Sequence, residues 1–154
     1  MLQVDNPDIE KLQHWFTQLT TFKSNDFHPL VWIVGQPVIG EGTYIGGFSE
    51  INAKHVDVTI GKNCDIASFV TINAADSHLK CIGLSDVLVR KSISLGDNVF
   101  IGSHSVIKGG AHISNNCVVA AGSVVGECYV PPYSLIVGNP AVVKQGYYQS
   151  ARSK

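Results

Sequence analysis

The sequence has few charged side chains, no closely paired cysteines and no long apolar run. Charged residues make up 15% of its 154 residues and the formal net charge is −1, so nothing global attracts nucleic acid or an anionic membrane. No apolar stretch reaches the ~20 residues that span a bilayer. The first residues also lack the basic-then-apolar order of a signal peptide. We therefore expect a cytoplasmic protein with no nucleic-acid partner and no membrane insertion.

The cysteine positions argue against two kinds of stabilising site. Cys64, Cys81, Cys117 and Cys128 form no CxxC pair, which disfavours a zinc site, and we expect no metal. A chain of this length without a secretion signal is also a poor candidate for a disulfide framework. The sequence predicts reduced thiols, mostly buried as small apolar groups.

What the sequence does contain is a repeat of six residues. The step lengthens to nine residues after Ile51 and to seventeen after Ile72. The repeat places Ile, Leu or Val at fourteen positions: Ile33, Ile39, Ile45, Ile51, Ile60, Ile66, Ile72, Val89, Leu95, Ile101, Ile107, Ile113, Val119 and Val125. A period of six does not match the 3.6-residue period of an amphipathic helix, and it is typical of a solenoid.

Two further positions of each repeat support short strands joined by sharp corners. Four places after most of the fourteen aliphatics the residue is small or β-branched, and in a strand it faces the same side as the next aliphatic. These residues include Thr43, Ser49, Cys64, Val70, Val99, Ser105, Ala111, Cys117 and Ser123. Three places after the aliphatic the chain often has a residue that tolerates positive φ. These corner residues are Gly42, Asn63, Asn98, Gly110, Asn116 and Gly122.

A six-residue strand with its corner cannot bury its own apolar face and must stack on the next copy. Three such sides make one coil of a prism, so the repeat predicts an all-β parallel β-helix of roughly four to five coils. We assign residues 31–138 to this β-helix, with an inserted loop at 73–88, and residues 139–154 to a C-terminal tail. Solenoids project such insertions from one face, which is often the functional one.

Residues 1–30 break the repeat and predict a short N-terminal helical cap. Asn6, Pro7 and Asp8 read as the start of a helix, and one helical face carries apolar residues: Ile9, Leu12, Trp15, Phe16 and Leu19. The helix is expected to close the open end of the first coil. The alternative is that it covers part of a substrate site.

Residues 95–143 strongly resemble the hexapeptide-repeat acyltransferases, especially the galactoside, maltose and xenobiotic O-acetyltransferases and the sugar acetyltransferases of surface polysaccharide synthesis. The resemblance rests on four segments found together: IGS at 101–103, AAGSVV at 120–125, VPPYS at 130–134 and VGNPA at 137–141. It implies left-handed winding, a homotrimer, a sugar-type acceptor, and acetyl-CoA lying between neighbouring subunits.

By this resemblance His78, on the inserted loop, is the candidate general base. An activated thioester needs a base near neutral pKa and a donor for the developing oxyanion, and imidazole suits the first task. Asp76 is the candidate to orient the His78 ring. Asn73 and Phe100 are candidate acceptor contacts; at the position of Phe100 the galactoside-type members usually have tryptophan.

The same motif match assigns Ser103, Ala121 and Gly122 to the pantetheine arm of acetyl-CoA. One departure concerns the phosphates, because the family usually has Thr-Lys where this chain has Gly126 and Glu127. A cation that holds phosphate is replaced there by an acid. Lys144, with Arg152 or Lys154, is the candidate substitute.

Three other functions fit a β-helix. A serine acetyltransferase carries a long helical N-terminal domain, for which 30 residues are too few. A zinc enzyme of the γ-carbonic anhydrase type needs three histidines that converge between subunits, whereas His104 is expected at a corner and His112 on a strand. A non-catalytic scaffold is the third alternative, and the inserted loop argues against it.

Overall fold

The computed structural model describes residues 7–19, 27 and 30–153, and it is a parallel β-helix of five coils with three short strands per coil. The first two coils contain β1 (Trp32–Gly35), β2 (Val38–Ile39), β3 (Tyr44–Ile45), β4 (Glu50–Ala53), β5 (Val58–Ile60) and β6 (Asp65–Ile66). The third contains β7 (Thr71–Asn73), then an excursion with β8 (Ala75–Asp76), α2 (His78–Cys81) and β9 (Val89–Arg90), then β10 (Ile93–Leu95) and β11 (Phe100–Ile101). The last two contain β12 (Val106–Lys108), β13 (Ala111–Ile113), β14 (Val118–Val119), β15 (Val124–Val125), β16 (Cys128–Val130) and β17 (Leu135–Gly138).

Strands from successive coils stack into three sheets, which form the sides of the prism. Sheet A has the order β1-β4-β7-β12-β15, and sheet B has the order β2-β5-β10-β13-β16. Sheet C runs β3-β6-β11-β14-β17 and ends on β18 (Ala141–Lys144), which pairs antiparallel with β17. The antiparallel strand ends the stacking of coils, and a 3-10 helix at Gln149–Ser153 follows it.

The interior consists of three aliphatic ladders, one for each sheet. The registers are Ile33-Ile51-Ile72-Ile107-Val125 in sheet A, Ile39-Ile60-Leu95-Ile113-Val130 in sheet B, and Ile45-Ile66-Ile101-Val119-Ile136 in sheet C. From the second coil onward every rung is buried. The predicted stacking of six-residue units is therefore confirmed.

Two details of the repeat differ from the prediction. Val89 is not a rung, because it lies in β9, pairs with Asp76 and is partly exposed; the rung after Ile72 is Leu95. The ladders also continue beyond Val125, the last of the fourteen positions found in the sequence. Val130 and Ile136 are both fully buried rungs of the fifth coil.

The small inward positions and the corners follow the sequence pattern. Ser49, Ser105, Ser123 and Ser134 are buried, and each hydroxyl donates to a backbone carbonyl, so none of these four hydroxyls is left without a partner. The six predicted corner residues all have positive φ, from 52° at Asn63 to 90° at Gly110. His104 shares this conformation with φ of 60°.

The N-terminal helix α1 spans Pro7–Leu19. Leu12, Trp15 and Leu19 are 46%, 66% and 82% exposed, so these three side chains do not close the first coil as expected. The proposed cap Asn6 lies outside the described residues. Within the described part of the chain, no helix is long and apolar enough to span a bilayer.

Ile101 offers a test of the core. Its side chain is fully buried at the centre of sheet C, between Ile66 and Val119. Ile101→Ala should lower the free energy of unfolding by about 3 kcal/mol, since it removes buried methylenes and leaves a cavity. Val38→Ala, at an exposed position, should change it by less than about 0.5 kcal/mol. Urea unfolding followed by circular dichroism measures both, and equal effects would contradict the core assignment.

Candidate active site

The inserted segment forms an ordered hairpin on the corner between sheets A and B. The strands β8 and β9 pair antiparallel, with Ala75 opposite Arg90 and Asp76 opposite Val89. The Lys91 N–H donates to the Ala74 carbonyl at 3.0 Å, and Arg90 Nε donates to the Lys54 carbonyl at 3.2 Å. The excursion therefore covers about residues 75–90 and begins later than the predicted loop, because Asn73 still belongs to β7. We call residues 75–90 the inserted hairpin.

His78 and Asp76 lie together on this hairpin. The Asp76 Oδ1 atom is 2.5 Å from His78 Nδ1 and also accepts the His78 backbone N–H at 3.1 Å. The imidazole is 63% exposed and the carboxylate 33%. The hydrogen bond from the His78 ring, and then that from its backbone, lower the pKa of Asp76 to about 2. The carboxylate is thus ionised throughout the neutral range.

An ionised Asp76 decides which His78 nitrogen carries the proton in the neutral ring. A carboxylate only accepts hydrogen bonds, so the close contact requires Nδ1–H on the imidazole. The lone pair of the neutral ring then lies on Nε2. This arrangement fixes the orientation of an exposed imidazole and leaves its Nε2 atom able to accept a proton.

Lys108 is a member of this cluster that the sequence analysis missed. Its Nζ lies 3.4 Å from Asp76 Oδ2, and its backbone pairs with Asn73 across sheet A. The register of coils brings them together although they are far apart in sequence. Knowing that Ile72 stacks on Ile107 in sheet A would have revealed this neighbour. Asn73 Oδ1 accepts the Ala75 N–H at 3.0 Å, so this candidate acceptor contact also shapes the start of the hairpin.

The candidate cofactor residues lie on a different corner, between sheet C and the following strand of sheet A. Ser103 and Gly122 occupy this corner in consecutive coils, and the Gly122 N–H donates to the Ser103 carbonyl at 2.9 Å. Ala121 and Gly122 are exposed, and Ser103 is half-buried. Gly122 has φ of 72° and nothing within 4 Å of the place where a Cβ would stand. This corner therefore presents open backbone along the coil axis.

Phe100 and Lys144 are both on sheet C. Phe100 faces outward from β11, is 40% exposed and precedes the corner that carries Ser103. Lys144 is exposed on β18, with Nζ 6.0 Å from the ring centroid of Tyr147. Of the alternative phosphate contacts, Lys154 and the side chain of Arg152 lie outside the described part of the structure.

The acid that replaces the family's lysine is neutralised. Glu127 forms a close ion pair with Lys91, next to the base of the inserted hairpin. The pair holds the Glu127 carboxylate at the corner between sheets A and B, away from the corner of Ser103 and Gly122. The acid at position 127 therefore does not leave an unpaired negative charge at this corner.

Within one chain, the candidate base and the candidate cofactor corner do not meet. The inserted hairpin with His78 leaves the corner between sheets A and B, whereas Ser103, Ala121 and Gly122 lie on the corner between sheets C and A. The width of sheet A separates the two sets of candidate residues within the chain.

His104 and His112 contact residues outside the inserted hairpin. His104 stacks on Phe69 at 4.9 Å, and the Nδ1 atom of His112 lies 2.8 Å from Ser94 Oγ. No group of three metal-binding side chains occurs among the described residues, so the convergent histidines of a zinc enzyme are not seen there. All four cysteines are free, and burial raises the pKa of Cys64, Cys117 and Cys128; Cys81 alone is exposed.

Comparison with known proteins agrees with this architecture. A family model described as "Hexapeptide repeat of succinyl-transferase" matches residues 92–127. This part of the chain is therefore similar to the hexapeptide repeats of that family. The five parallel coils are consistent with the left-handed winding that the resemblance implies.

Curated relatives cover the β-helix but are longer proteins. Galactoside O-acetyltransferase of Escherichia coli is 34% identical over 110 residues, which is 68% of this chain and 54% of that protein. The bifunctional protein GlmU of Streptococcus equi subsp. zooepidemicus is 31% identical over 117 residues, or 71% of this chain and 24% of that protein. The chain thus spans about half or less of the length of these relatives.

Two solved structures share the fold. The polySia-specific acetyltransferase NeuO aligns with a TM-score of 0.62 and 30% identity over 71% of this chain and 48% of that one. AntD, an N-acyltransferase from Bacillus cereus solved as a mutant in complex with dTDP and coenzyme A, aligns with a TM-score of 0.67 over 82% of this chain and 74% of that one. At 20% identity the second likeness shows the fold alone.

Proposed function

We propose that this protein transfers an acetyl group from acetyl-CoA to a hydroxyl or amino group of a sugar or nucleotide sugar, with His78 as the general base. The observation that carries the proposal is the contact between Asp76 and His78 on a hairpin that leaves an otherwise regular solenoid. A scaffold gains nothing from an oriented, exposed imidazole. The names of relatives that acetylate galactosides and polySia support a sugar acceptor.

Acetyl-CoA supplies an acyl group already activated as a thioester. In the proposed step His78 Nε2 removes the proton of the acceptor hydroxyl while the hydroxyl oxygen bonds to the carbonyl carbon of the acetyl group. The carbon–sulfur bond breaks, and His78 returns the proton to the departing sulfur. Asp76 holds the ring and stabilises the imidazolium that forms between the two transfers. An amine acceptor would lose its proton to the same nitrogen.

We assign the pantetheine arm to the corner of Ser103, Ala121 and Gly122, and the phosphates to the side that carries Lys144. The open backbone at Gly122 fits a ligand that approaches the chain closely. Because this corner and the inserted hairpin are apart within one chain, the proposal includes a homotrimer with each site between two subunits.

Gly122→Asn tests the cofactor corner. Asparagine tolerates positive φ, and nothing lies within 4 Å of the new Cβ, so the fold should be retained. The added side chain should raise the KM for acetyl-CoA on the order of tenfold, equivalent to about 1.4 kcal/mol of binding, and change kcat little. Steady-state kinetics with acetyl-CoA varied measures this. An unchanged KM would remove Gly122 from the cofactor site.

The proposed activity is tested by a thiol-release screen. The full chain is incubated with acetyl-CoA and simple sugars, nucleotide amino sugars or serine, and free CoA is detected colorimetrically. Release of CoA that depends on a sugar acceptor supports the proposal. Release with serine alone would show that serine, and not a sugar, is the acceptor. Calorimetry with CoA provides the second readout. If the protein neither binds CoA nor releases it from acetyl-CoA, the non-catalytic scaffold becomes the better interpretation.

A further inference from the structure

Sheet B carries a groove that the proposed reaction does not use. It extends over coils three to five and has a volume of about 400 Å³. Its outward side chains form one column in register, with Ser94 beside His112 and His112 beside Tyr129. Pro132 adds an apolar surface, whereas the side chains of Leu95 and Ile113 in the same strands face the interior. The groove is therefore built on the strands of sheet B and on the corner that follows them, where Ser114, Asn115 and Pro132 lie.

The polar groups of the groove are held in fixed directions. Ser94 Oγ lies 2.8 Å from His112 Nδ1, which leaves Nε2 as the ring atom that can meet a ligand. The Ser114 hydroxyl donates to Tyr129 Oη at 3.3 Å, so the phenol can donate its own proton outward. Asn115 Oδ1 accepts the Asp97 N–H at 2.9 Å, which leaves the amide NH2 to donate.

The chemistry of the lining selects the ligand class. The described residues around the groove include no Asp, Glu, Lys or Arg, so the site offers nothing to pair with a phosphate or carboxylate. It does offer hydroxyl, imidazole and amide groups beside the Tyr129 side chain, which is 72% exposed. Neutral hydrogen-bonding groups around an amphipathic aromatic ring suit a neutral carbohydrate, which presents many hydroxyls and apolar C–H faces.

The groove begins where the inserted hairpin rejoins the coil. The hairpin ends at Arg90, and Ser94 in the next strand, β10, is the first member of the groove column. The groove is thus on the face that adjoins the corner of His78. A chain of sugar units with its reacting end at His78 would cross sheet B from the edge of the hairpin to the column of Ser94, His112 and Tyr129.

We infer that the groove of Ser94, His112 and Tyr129 binds a neutral oligosaccharide segment and that the acceptor is a glycan of several units. The link to the acceptor rests on the proposed function, whereas the binding site does not. The proposed reaction thereby acquires an acceptor class, because a monosaccharide at His78 would leave the groove unused.

Binding is tested directly with the full chain and neutral galacto- and gluco-oligosaccharides of one to six units. Saturation-transfer NMR and calorimetry should show affinity that rises with length. His112→Ala and Tyr129→Ala should each weaken binding on the order of tenfold, as expected for a lost hydrogen-bonding contact. Tyr129→Phe keeps the ring and should have a smaller effect. Val38→Ala is the matched control, since Val38 is exposed in the same column of sheet B, two coils away from the groove.

A kinetic arm separates the inference from the proposed function. In the wild type the KM for the acceptor should fall with length, and His112→Ala should flatten that dependence with the KM for acetyl-CoA unchanged. If the protein acetylates short acceptors but binds no oligosaccharide, the inference about the groove is wrong and the proposed activity is retained. Oligosaccharide binding without CoA release from any acceptor would keep the groove and remove the proposed function. Binding that His112→Ala and Tyr129→Ala leave unchanged would also overturn the inference.

Discussion

His78→Ala is expected to lower kcat for acetyl transfer by about 10²–10⁴-fold, the usual range for loss of a general base. The KM for acetyl-CoA should hardly change, because the cofactor corner is on another part of the coil. The hairpin should keep its fold, since the imidazole is 63% exposed and buries little apolar surface. Steady-state thiol release with the best acceptor from the screen measures kcat and KM separately.

Asp76→Asn tests the orientation of the same ring. An amide can donate to Nδ1, which would place the ring proton on Nε2 and abolish the base. The kcat should therefore fall on the scale of the His78 variant although His78 is still present. The pKa of Asp76 is about 2, so any acidic limb of the wild-type profile above about pH 4 belongs to another group.

His55→Asn is the matched control for both variants. His55 is exposed on the corner of the preceding coil with φ of 58°, a conformation that asparagine tolerates. It should retain wild-type kcat. A His78→Ala protein with wild-type kcat would remove His78 from the mechanism, and a normal Asp76→Asn protein would leave His78 active without its aspartate.

The stacked coils could be predicted from the sequence because the apolar residues that stabilise them recur at a regular spacing. Ile107, for example, packs in the interior between Ile72 of the coil before and Val125 of the coil after. Because such residues recur every six positions, the sequence pattern alone predicts the stacking. The point at which the repeat ends was harder to predict from the sequence. Val130 follows Val125 by five residues and precedes two prolines, so the period fails there while the buried position persists.

Val89 shows the opposite error. It continues the aliphatic pattern in sequence, but its backbone pairs with Asp76 inside the hairpin, and Leu95 takes the rung. Side-chain type alone cannot tell a rung from a hairpin residue. For the same reason Lys108 could not be assigned to Asp76 until the register of the third and fourth coils was known.

The division of the site between two corners leads to the second large effect. Ala121 is exposed on the cofactor corner, so Ala121→Trp should fill the path of the pantetheine arm with no cost to the core. As separate trimers, the Ala121→Trp and His78→Ala proteins should each show about 1% of wild-type activity or less. Light scattering must first show that both remain trimers.

Refolding the two variants together in equal amounts should restore activity. Each site in the proposed trimer takes its hairpin from one subunit and its corner from the next. With random assembly, half of the hairpins carry His78 and half of the corners carry Ala121, so about a quarter of the sites combine both intact parts. We therefore expect recovery to about 25% of wild-type kcat per site, far above either parent. No recovery in mixed trimers of verified composition would mean that hairpin and corner act within one chain, against the separation seen here.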